Sequence, residues 1–197
     1  MREIIRMILI LAILTTFSGG LLAAIRGGTK EKIENQQLQF VKGPAIKAIL
    51  EGASNDPIVD RFKLMDGDVE RSFFVGVFDG KANAVALESF GKGYGGDVGV
   101  MVGINVDDGK LLGAGVTTHA ETPGMGAKAK EDPGFVSQFK GVPIQESYKV
   151  TKDGGKIDAI SGATITSRAV AAGVTDVAGI YNRLKPQVSE KIKEFNK

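Results

Sequence analysis

The sequence has no cysteine and only one histidine, His119, among its 197 residues. The absence of cysteine excludes disulfide bonds and thiolate metal sites. One histidine without cysteine is also poor material for a metal centre, because such sites need a cluster of ligands. Neither charge is in excess, with 25 basic and 23 acidic residues and no concentrated basic stretch. These deficits argue against a metalloprotein and against a nucleic-acid partner.

One long apolar run is present, near the N-terminus. The 19 residues from Met7 to Ile25 carry no charge and lie between Arg6 and Arg26. A helix of this length spans about 28 Å, enough to cross the hydrocarbon core of a membrane. A signal peptide is the alternative, but no A-x-A cleavage triplet follows the run. Residues 1–27 are therefore predicted to be an uncleaved membrane anchor, whose orientation the basic residues on both sides leave undecided.

Beyond the anchor, the sequence predicts a polar helical tether over residues 28–43 and one α+β domain over residues 44–197. Pro44 opens a predicted short helix that runs to Leu50. Segments of strand composition follow, and Asp-Gly pairs at 79–80 and 108–109 predict hairpin turns between them. A third hairpin is predicted around residues 153–155. The predicted strands cover residues 58–65, 72–79, 83–89, 97–106 and 110–119.

The pattern then changes to that of a C-terminal helix. Apolar residues recur at helical spacing from Val170 to Leu184 and would form one buried stripe. Pro186 is predicted to end this helix, with a charged helical tail after it. The start of the stripe places the N-cap at Thr166 or Ser167. The predicted fold is thus α+β: a transmembrane helix, then antiparallel hairpins and a C-terminal helix.

The stretch DAISGATITSRAV, residues 158–170, lies just before that stripe. Capping needs one hydroxyl, and this stretch supplies four. Thr164 is predicted just outside the helix N-terminus, where free amides and the helix dipole favour a phosphate. Gly162 and Ala163 remove bulk beside it. From the residues alone, the stretch predicts a site for a phosphate-bearing ligand, and its hydroxyl-bearing residues are Ser161, Thr164, Thr166 and Ser167.

Two further segments are candidates for lining a ligand. In GKGYGG, residues 91–96, glycines would let a ligand approach the backbone and Tyr94 would cover a planar group; the alternative is a plain glycine-rich turn. In THAETPGMGAK, residues 118–128, His119, Glu121 and Thr122 form a predicted ligand-lining loop. A hydrolase would instead pair His119 with Ser161 or Thr164 and use Glu121 to orient it, although no G-x-S-x-G elbow is present.

These motifs resemble a known family. SGATITS is similar to the S/T-G-A-T flavinylation motif of the membrane-anchored FMN-binding subunits of the RnfG/NqrC family. HAETPGMG resembles a loop of the same family, GKGYGG a glycine-rich strand connection, and the single anchor agrees. The resemblance covers essentially the whole chain. A length near 200 residues favours the Rnf type over the longer NqrC protein of the sodium-pumping quinone reductase.

The resemblance implies an extracytoplasmic FMN-binding domain on a single-pass protein of the inner (cytoplasmic) membrane. It implies FMN joined through its phosphate to Thr164 by an ApbE-type flavin transferase that uses FAD. It also implies other membrane subunits of the Rnf complex as partners, in a relay between ferredoxin and NAD that moves Na⁺ or H⁺. The protein would be a redox component and not catalytic alone, because the flavin carries the chemistry. A membrane-tethered hydrolase and an anchored binding or assembly module stay open as alternatives.

Overall fold

The computed structural model describes residues 2–144 and 147–196. The chain divides into two compact units, residues 1–38 and 39–197. In the first unit, helix α1 (Arg2–Gln36) buries no residue within the protein. Its apolar window has a mean hydropathy of 2.3, long and apolar enough to cross a membrane. An exposed face of this kind is typical of a helix that lies in lipid. The predicted long apolar helix near the N-terminus is confirmed.

A π-helical turn (Gln37–Lys42) and helix α2 (Gly43–Ile49) follow. Pro44 lies in the first turn of α2, as the sequence predicts. The second unit is built on five antiparallel strands that neighbour one another in chain order. Their bounds are β1 (Arg61–Asp66), β2 (Val69–Phe78), β3 (Lys81–Lys92), β4 (Asp97–Asn105) and β5 (Leu111–Val116).

The predicted hairpin turns form where the sequence places them. Asp79 and Gly80 both have positive φ, 52° and 75°, and join the paired residues Phe78 and Lys81. This is the two-residue turn whose twist matches that of the strands. The Asp108-Gly109 segment likewise joins β4 to β5. The structure adds a turn at residues 67–68, between β1 and β2, that the sequence pattern did not predict.

The third predicted hairpin, around residues 153–155, does not form. A 3₁₀ turn (Thr151–Asp153) occupies this position, and an isolated parallel bridge links Val150 to Ile157. Gly154 closes the turn with a φ of 80°. The prediction was wrong because the glycine pair ends a compact turn and does not connect two strands. Two short helices, α3 (Lys128–Glu131) and α4 (Pro133–Ser137), lie earlier in the same connection.

The long C-terminal helix α5 (Thr164–Lys191) packs on one face of the sheet, and a 3₁₀ turn (Ile192–Phe195) follows it. The predicted apolar stripe is buried against the strands, as expected. Pro186 does not end the helix, contrary to the prediction. Val188 and Ile192 beyond it are buried in the same core. Their burial offsets the one ladder hydrogen bond, to the Asn182 carbonyl, that the proline ring removes.

Helix α2 packs on the opposite face of the sheet, where the strands carry glycine. A Cβ at Gly103 would lie 3.3 Å from the Leu112 Cβ and would overlap the Ile49 side chain. Gly115 lies under Ala45 and Ile49 at ordinary contact distance. Small residues on this face let the helix approach the backbone of β4 and β5 closely. The sheet is therefore covered on both sides, with the larger core on the α5 side.

Candidate functional site

A cleft of about 570 Å³ opens beside the start of α5. Its walls come from the loop between β3 and β4, the loop after β5, and the first turn of α5. This volume lies in the range of ordinary small-molecule sites. Seven of the sequence-predicted site residues line it: Tyr94, Glu121, Thr122, Gly162, Ala163, Thr164 and Thr166.

The other three predicted residues do not line the cleft. Ser167 is buried, and its hydroxyl donates to the Ala163 carbonyl and accepts from the Ile160 N–H, both at 3.0 Å. His119 is half-buried, and its Nδ1 accepts the Glu121 backbone N–H at 3.3 Å. Ser161 is exposed, next to Gly162. Ser167 therefore stabilises the segment of residues 158–170, and His119 stabilises the loop of residues 118–128.

The start of α5 has no side-chain cap. Helix α5 begins at Thr164, and the N-cap position is Ala163, which makes no capping hydrogen bond. The prediction of Thr166 or Ser167 as the N-cap was wrong, because both hydroxyls have other partners inside the fold. Thr164 is the first helical residue and does not lie outside the helix. The first ladder bond runs from the Ser167 N–H to the Ala163 carbonyl at 3.0 Å, so the amides of residues 164–166 precede it.

These uncapped amides and the helix dipole make the start of α5 favourable for an anion. The Thr164 hydroxyl lies at this point, half-buried at the wall of the cleft. Lys152 donates to its Oγ1 from 3.3 Å. A nucleophilic oxygen, free amides and an ammonium group thus meet at one corner of the cleft. This corner is better suited to bind a phosphate than any other part of the described cleft lining.

Glu121 joins the three walls of the cleft to one another. Its side chain is buried, with 6% of the residue exposed. One carboxylate oxygen accepts the Gly95 N–H at 2.7 Å, and the other accepts the Thr166 hydroxyl in a short hydrogen bond. The glycine loop, the loop after β5 and the first turn of α5 therefore share one buried carboxylate. Charge-assisted hydrogen bonds of this kind are about twice as strong as neutral ones.

Glycines make room for this carboxylate. A Cβ at Gly126 would lie 2.6 Å from the Glu121 Oε2 and 2.7 Å from the Thr166 Oγ1. A Cβ at Gly93 would lie 2.5 Å from the Glu121 Oε1, and one at Gly95 would overlap the Ala120 carbonyl. The glycine-rich segment was predicted to admit a ligand to the backbone. At these positions its glycines admit other parts of the protein instead.

The cleft also has an apolar rim. Three large side chains on it are exposed to solvent: Tyr94 at 76%, Met125 at 51% and Ile165 at 46%. Each comes from a different wall. Single exposed apolar residues are ordinary, but three that converge on one concave site indicate a planar apolar ligand or a partner.

The groups of the predicted hydrolase do not assemble. Glu121 binds Gly95 and Thr166 and does not orient His119. His119 is not part of the described cleft lining, so it has no place beside Thr164 as a general base. A Ser–His–Asp relay requires the nucleophile, the base and the orienting carboxylate in sequence. The geometry therefore does not support the hydrolase alternative.

Comparison with known proteins gives a family for this geometry. A model of the FMN-binding domain family matches residues 93–179, which include all the described lining residues of the cleft. The G subunit of an ion-translocating oxidoreductase complex from Pseudomonas aeruginosa (strain UCBPP-PA14) is 35% identical over 186 residues, 88% of this chain and 86% of that protein. The chain belongs to this RnfG family. The corresponding G subunit of Vibrio vulnificus (strain YJ016) is 31% identical over 91% of this chain and 90% of its own length.

A solved structure supports the fold of this RnfG family member. The crystal structure of the C subunit of a Na⁺-translocating NADH-quinone reductase from Parabacteroides distasonis superposes with a TM-score of 0.51 and 26% identity. The match covers 59% of this chain and 63% of that one. The preference for the Rnf type, which rested on length alone, is confirmed by the relatives from Pseudomonas and Vibrio.

The sequence did not predict four residues of the RnfG-type cleft: Lys152, Met125, Gly126 and Ile165. Met125 and Ile165 lie inside the predicted motifs, but their exposure is not visible in the sequence. Lys152 lies 12 residues before Thr164 in a segment that was predicted to be a hairpin strand. Arg168 holds that segment, since its guanidinium donates twice to Asp153 at 2.7 Å. This pair lowers the pKa of Asp153 and raises the pKa of Arg168.

Proposed function

We propose that this protein is the electron-transfer subunit of a membrane-bound ion-translocating oxidoreductase and carries FMN covalently, through a phosphoester to Thr164. The observation that carries the proposal is the position of the Thr164 hydroxyl, which lies in the wall of the cleft at the uncapped start of α5. The matched FMN-binding domain supplies the identity of the cofactor. The family supplies the redox role, as one part of a larger complex.

Thr164 is the best placed of the four hydroxyls in its segment. The Thr166 hydroxyl is buried and bound to Glu121, and the Ser167 hydroxyl is buried and bound to Ala163. Ser161 is exposed but lies outside the cleft lining. Thr164 alone combines partial exposure, small neighbours at Gly162 and Ala163, and free helix amides beside it. A phosphate attached there would meet the positive end of the helix.

The attachment reaction needs a flavin dinucleotide and a separate transferase of the ApbE type. The Thr164 Oγ gains a bond to the flavin-side phosphorus of FAD, and the bond between the two phosphates breaks. The leaving group is AMP, which contains the second phosphate and keeps the bridging oxygen, and the hydroxyl proton is released. When bound, FMN supplies one- and two-electron chemistry, and the protein supplies position, shielding and electrostatics.

The residues in and around the cleft have two different roles in this proposal. Tyr94 and Thr122, with Met125 and Ile165, line the space beside Thr164 and would contact the flavin. Glu121 and His119 act on the loops that form the walls. In flavin-loaded protein, Tyr94→Ala should shift the flavin midpoint potential while the melting temperature stays close to that of the parent, because Tyr94 is 76% exposed. An unchanged potential and absorption spectrum would remove Tyr94 from the flavin site.

The attachment site is tested by intact mass after co-expression with an ApbE-type transferase. The parent and Thr166→Ala are expected to gain the mass of one FMN less water. Thr164→Ala is expected to fold and to gain nothing. Thr166 is a close control, because it lies in the same helical turn and lines the same cleft. A Thr164→Ala protein that gains the mass, or a parent that never does, would falsify the assignment.

The remaining parts of the proposal concern topology and partners. Residues 1–27 anchor the protein, residues 28–43 connect, and residues 44–197 form the FMN-binding domain on the extracytoplasmic (periplasmic) side. Other membrane subunits of an Rnf-type complex exchange electrons with it, between ferredoxin and NAD, while Na⁺ or H⁺ moves. A phosphatase reporter fused after residue 197 should be active in the outer compartment. Activity of a cytoplasm-specific reporter at the same point would reverse the orientation.

A further inference from the structure

The 3₁₀ turn Thr151–Asp153 places one lysine at the attachment corner. The Lys152 ammonium donates to the Thr164 Oγ1 at 3.3 Å. Lys152 is exposed and lies in the lining of the cleft, 12 residues from Thr164 in sequence. The turn has no place in the sheet and does not belong to a strand pair. Its position therefore calls for another explanation than strand pairing.

Several contacts fix the turn against the start of α5. Asp153 forms a bidentate pair with Arg168, one turn into the helix, with both donor–acceptor distances at 2.7 Å. The Thr151 N–H donates to the Ile157 carbonyl at 2.9 Å, and the Gly155 N–H donates to the Val150 carbonyl at 3.0 Å. A Cβ at Gly155 would overlap the Lys149 backbone. The turn is thus tied on both sides of Lys152.

The charges of the cleft leave Lys152 available. Glu121 is the one carboxylate in the described lining, and protein groups engage both of its oxygens. Lys152 is the one cation in that lining, and it forms no salt bridge with any residue of 2–144 or 147–196. The neighbouring cation, Arg168, is already paired with Asp153. An anion bound at Thr164 would therefore meet an ammonium group with no competing carboxylate.

We propose that Lys152 is the phosphate-binding residue of the site: its ammonium pairs with the phosphate that joins FMN to Thr164 and positions that phosphate during and after attachment. This inference rests on the proposed attachment at Thr164. A phosphodiester keeps one negative charge, and the lysine neutralises it where the helix amides do so only in part. The side chain acts as a positioning residue and takes no part in bond making.

The test compares single variants of the full chain, co-expressed or incubated with the transferase and FAD. Lys152→Gln should gain flavin about three- to tenfold more slowly than the parent, the size expected for an exposed charge-assisted contact. Lys152→Arg should recover most of the rate, and Lys152→Glu should be slower than Lys152→Gln. The matched control is Lys156→Gln, since Lys156 is an exposed lysine of the same segment that does not line the cleft. Added salt should reduce the difference between the parent and Lys152→Gln.

A second measurement separates the phosphate from the transferase as the partner of Lys152. In protein loaded to completion, the ³¹P resonance of the attached phosphate should move in Lys152→Gln and stay in place in Lys156→Gln. A parental attachment rate in Lys152→Gln would overturn the inference. So would a slow rate with an unmoved ³¹P resonance, because Lys152 would then act on the transferase. A parent that never gains flavin, or a Thr164→Ala protein that does, would instead defeat the proposed function itself.

Discussion

The two halves of helix α5 are held by different kinds of contact. Its first turn contacts the cleft through hydroxyls, a buried carboxylate and free amides, and its N-cap side chain forms no hydrogen bond. From Val170 onward the helix contacts the sheet through an apolar stripe that stays buried beyond Pro186. The apolar half is fixed by area and shape, and the polar half by a few directional bonds. A helix can thus be anchored firmly at one end and keep the other end available for a ligand.

The largest effect is expected where the polar half depends on one residue. Glu121→Leu removes the acceptor of the Gly95 N–H and of the Thr166 hydroxyl, both at buried or part-buried positions. Two unsatisfied groups should cost at least about 2 kcal/mol of unfolding free energy. Attachment of FMN should also slow, because the three walls are no longer joined.

Glu121→Gln is the matched control for this substitution. Its amide keeps one acceptor for Gly95 and can donate to the Thr166 hydroxyl, so it should retain most of the stability. Urea unfolding of the full chain in detergent and flavin uptake by mass measure both properties. Equal stability of the Leu and Gln variants would mean that the carboxylate does not hold the cleft.

The apolar half can be tested with two glycines six residues apart on the same helix. A Cβ at Gly173 would lie 2.8 Å from a Val100 methyl and 3.0 Å from its Cβ, so Gly173→Ala should destabilise by about 1–3 kcal/mol. At Gly179 the nearest atom is the flexible end of Arg183 at 3.4 Å. Gly179→Ala should therefore stabilise by about 0.5–1 kcal/mol through helix propensity alone. The melting temperature should fall in Gly173→Ala and rise in Gly179→Ala, each relative to the parent. An unchanged melting temperature in Gly173→Ala would mean that the sheet shifts to make room for the added methyl group.

The two halves also differ in how well the sequence predicts them. The stripe from Val170 to Leu184 follows a local periodicity, so its burial could be predicted from spacing alone. The turn at Asp79-Gly80 depends on two adjacent residues and was equally accessible. The end of α5 could not be predicted in this way. Pro186 is a local stop signal, but the burial of Val188 and Ile192 outweighs it.

The cleft could not be predicted from local sequence patterns alone. SGATITS, HAETPGMG and GKGYGG identified three of its walls through family resemblance, and the structure brings seven of the ten predicted residues to the cleft. The role of Glu121 depends on contacts 26 and 45 residues away in sequence. The position of Lys152 beside Thr164 depends on an ion pair between its neighbour Asp153 and Arg168. Long-range hydrogen bonds of this kind leave no periodicity in the sequence.

The smallest expected effect concerns one polar contact of the mostly apolar half. Arg183 donates to Asp66 at the end of β1 through two bonds of 3.0 and 2.7 Å. Its hydrogen bonds lower the pKa of Asp66 below the ordinary value of 3.8. A lowered carboxyl pKa gives stability that is present above the ordinary value and is lost as the pH falls through the folded-state value. Because 56% of the Arg183 side chain is exposed, the pair should contribute at most about 1 kcal/mol.

Asp66→Asn should therefore be less stable than the parent at pH 7, and the difference should shrink as the pH falls below about 4. Urea titrations at several pH values measure this convergence. Arg183→Gln provides the second edge of a double-mutant cycle, in which the double variant should lose little beyond either single one. A stability difference that stays constant down to about pH 2.5 would show that the pair acts by packing and not by charge. In that case charge would contribute to the stability of α5 in its first turn and not at Arg183.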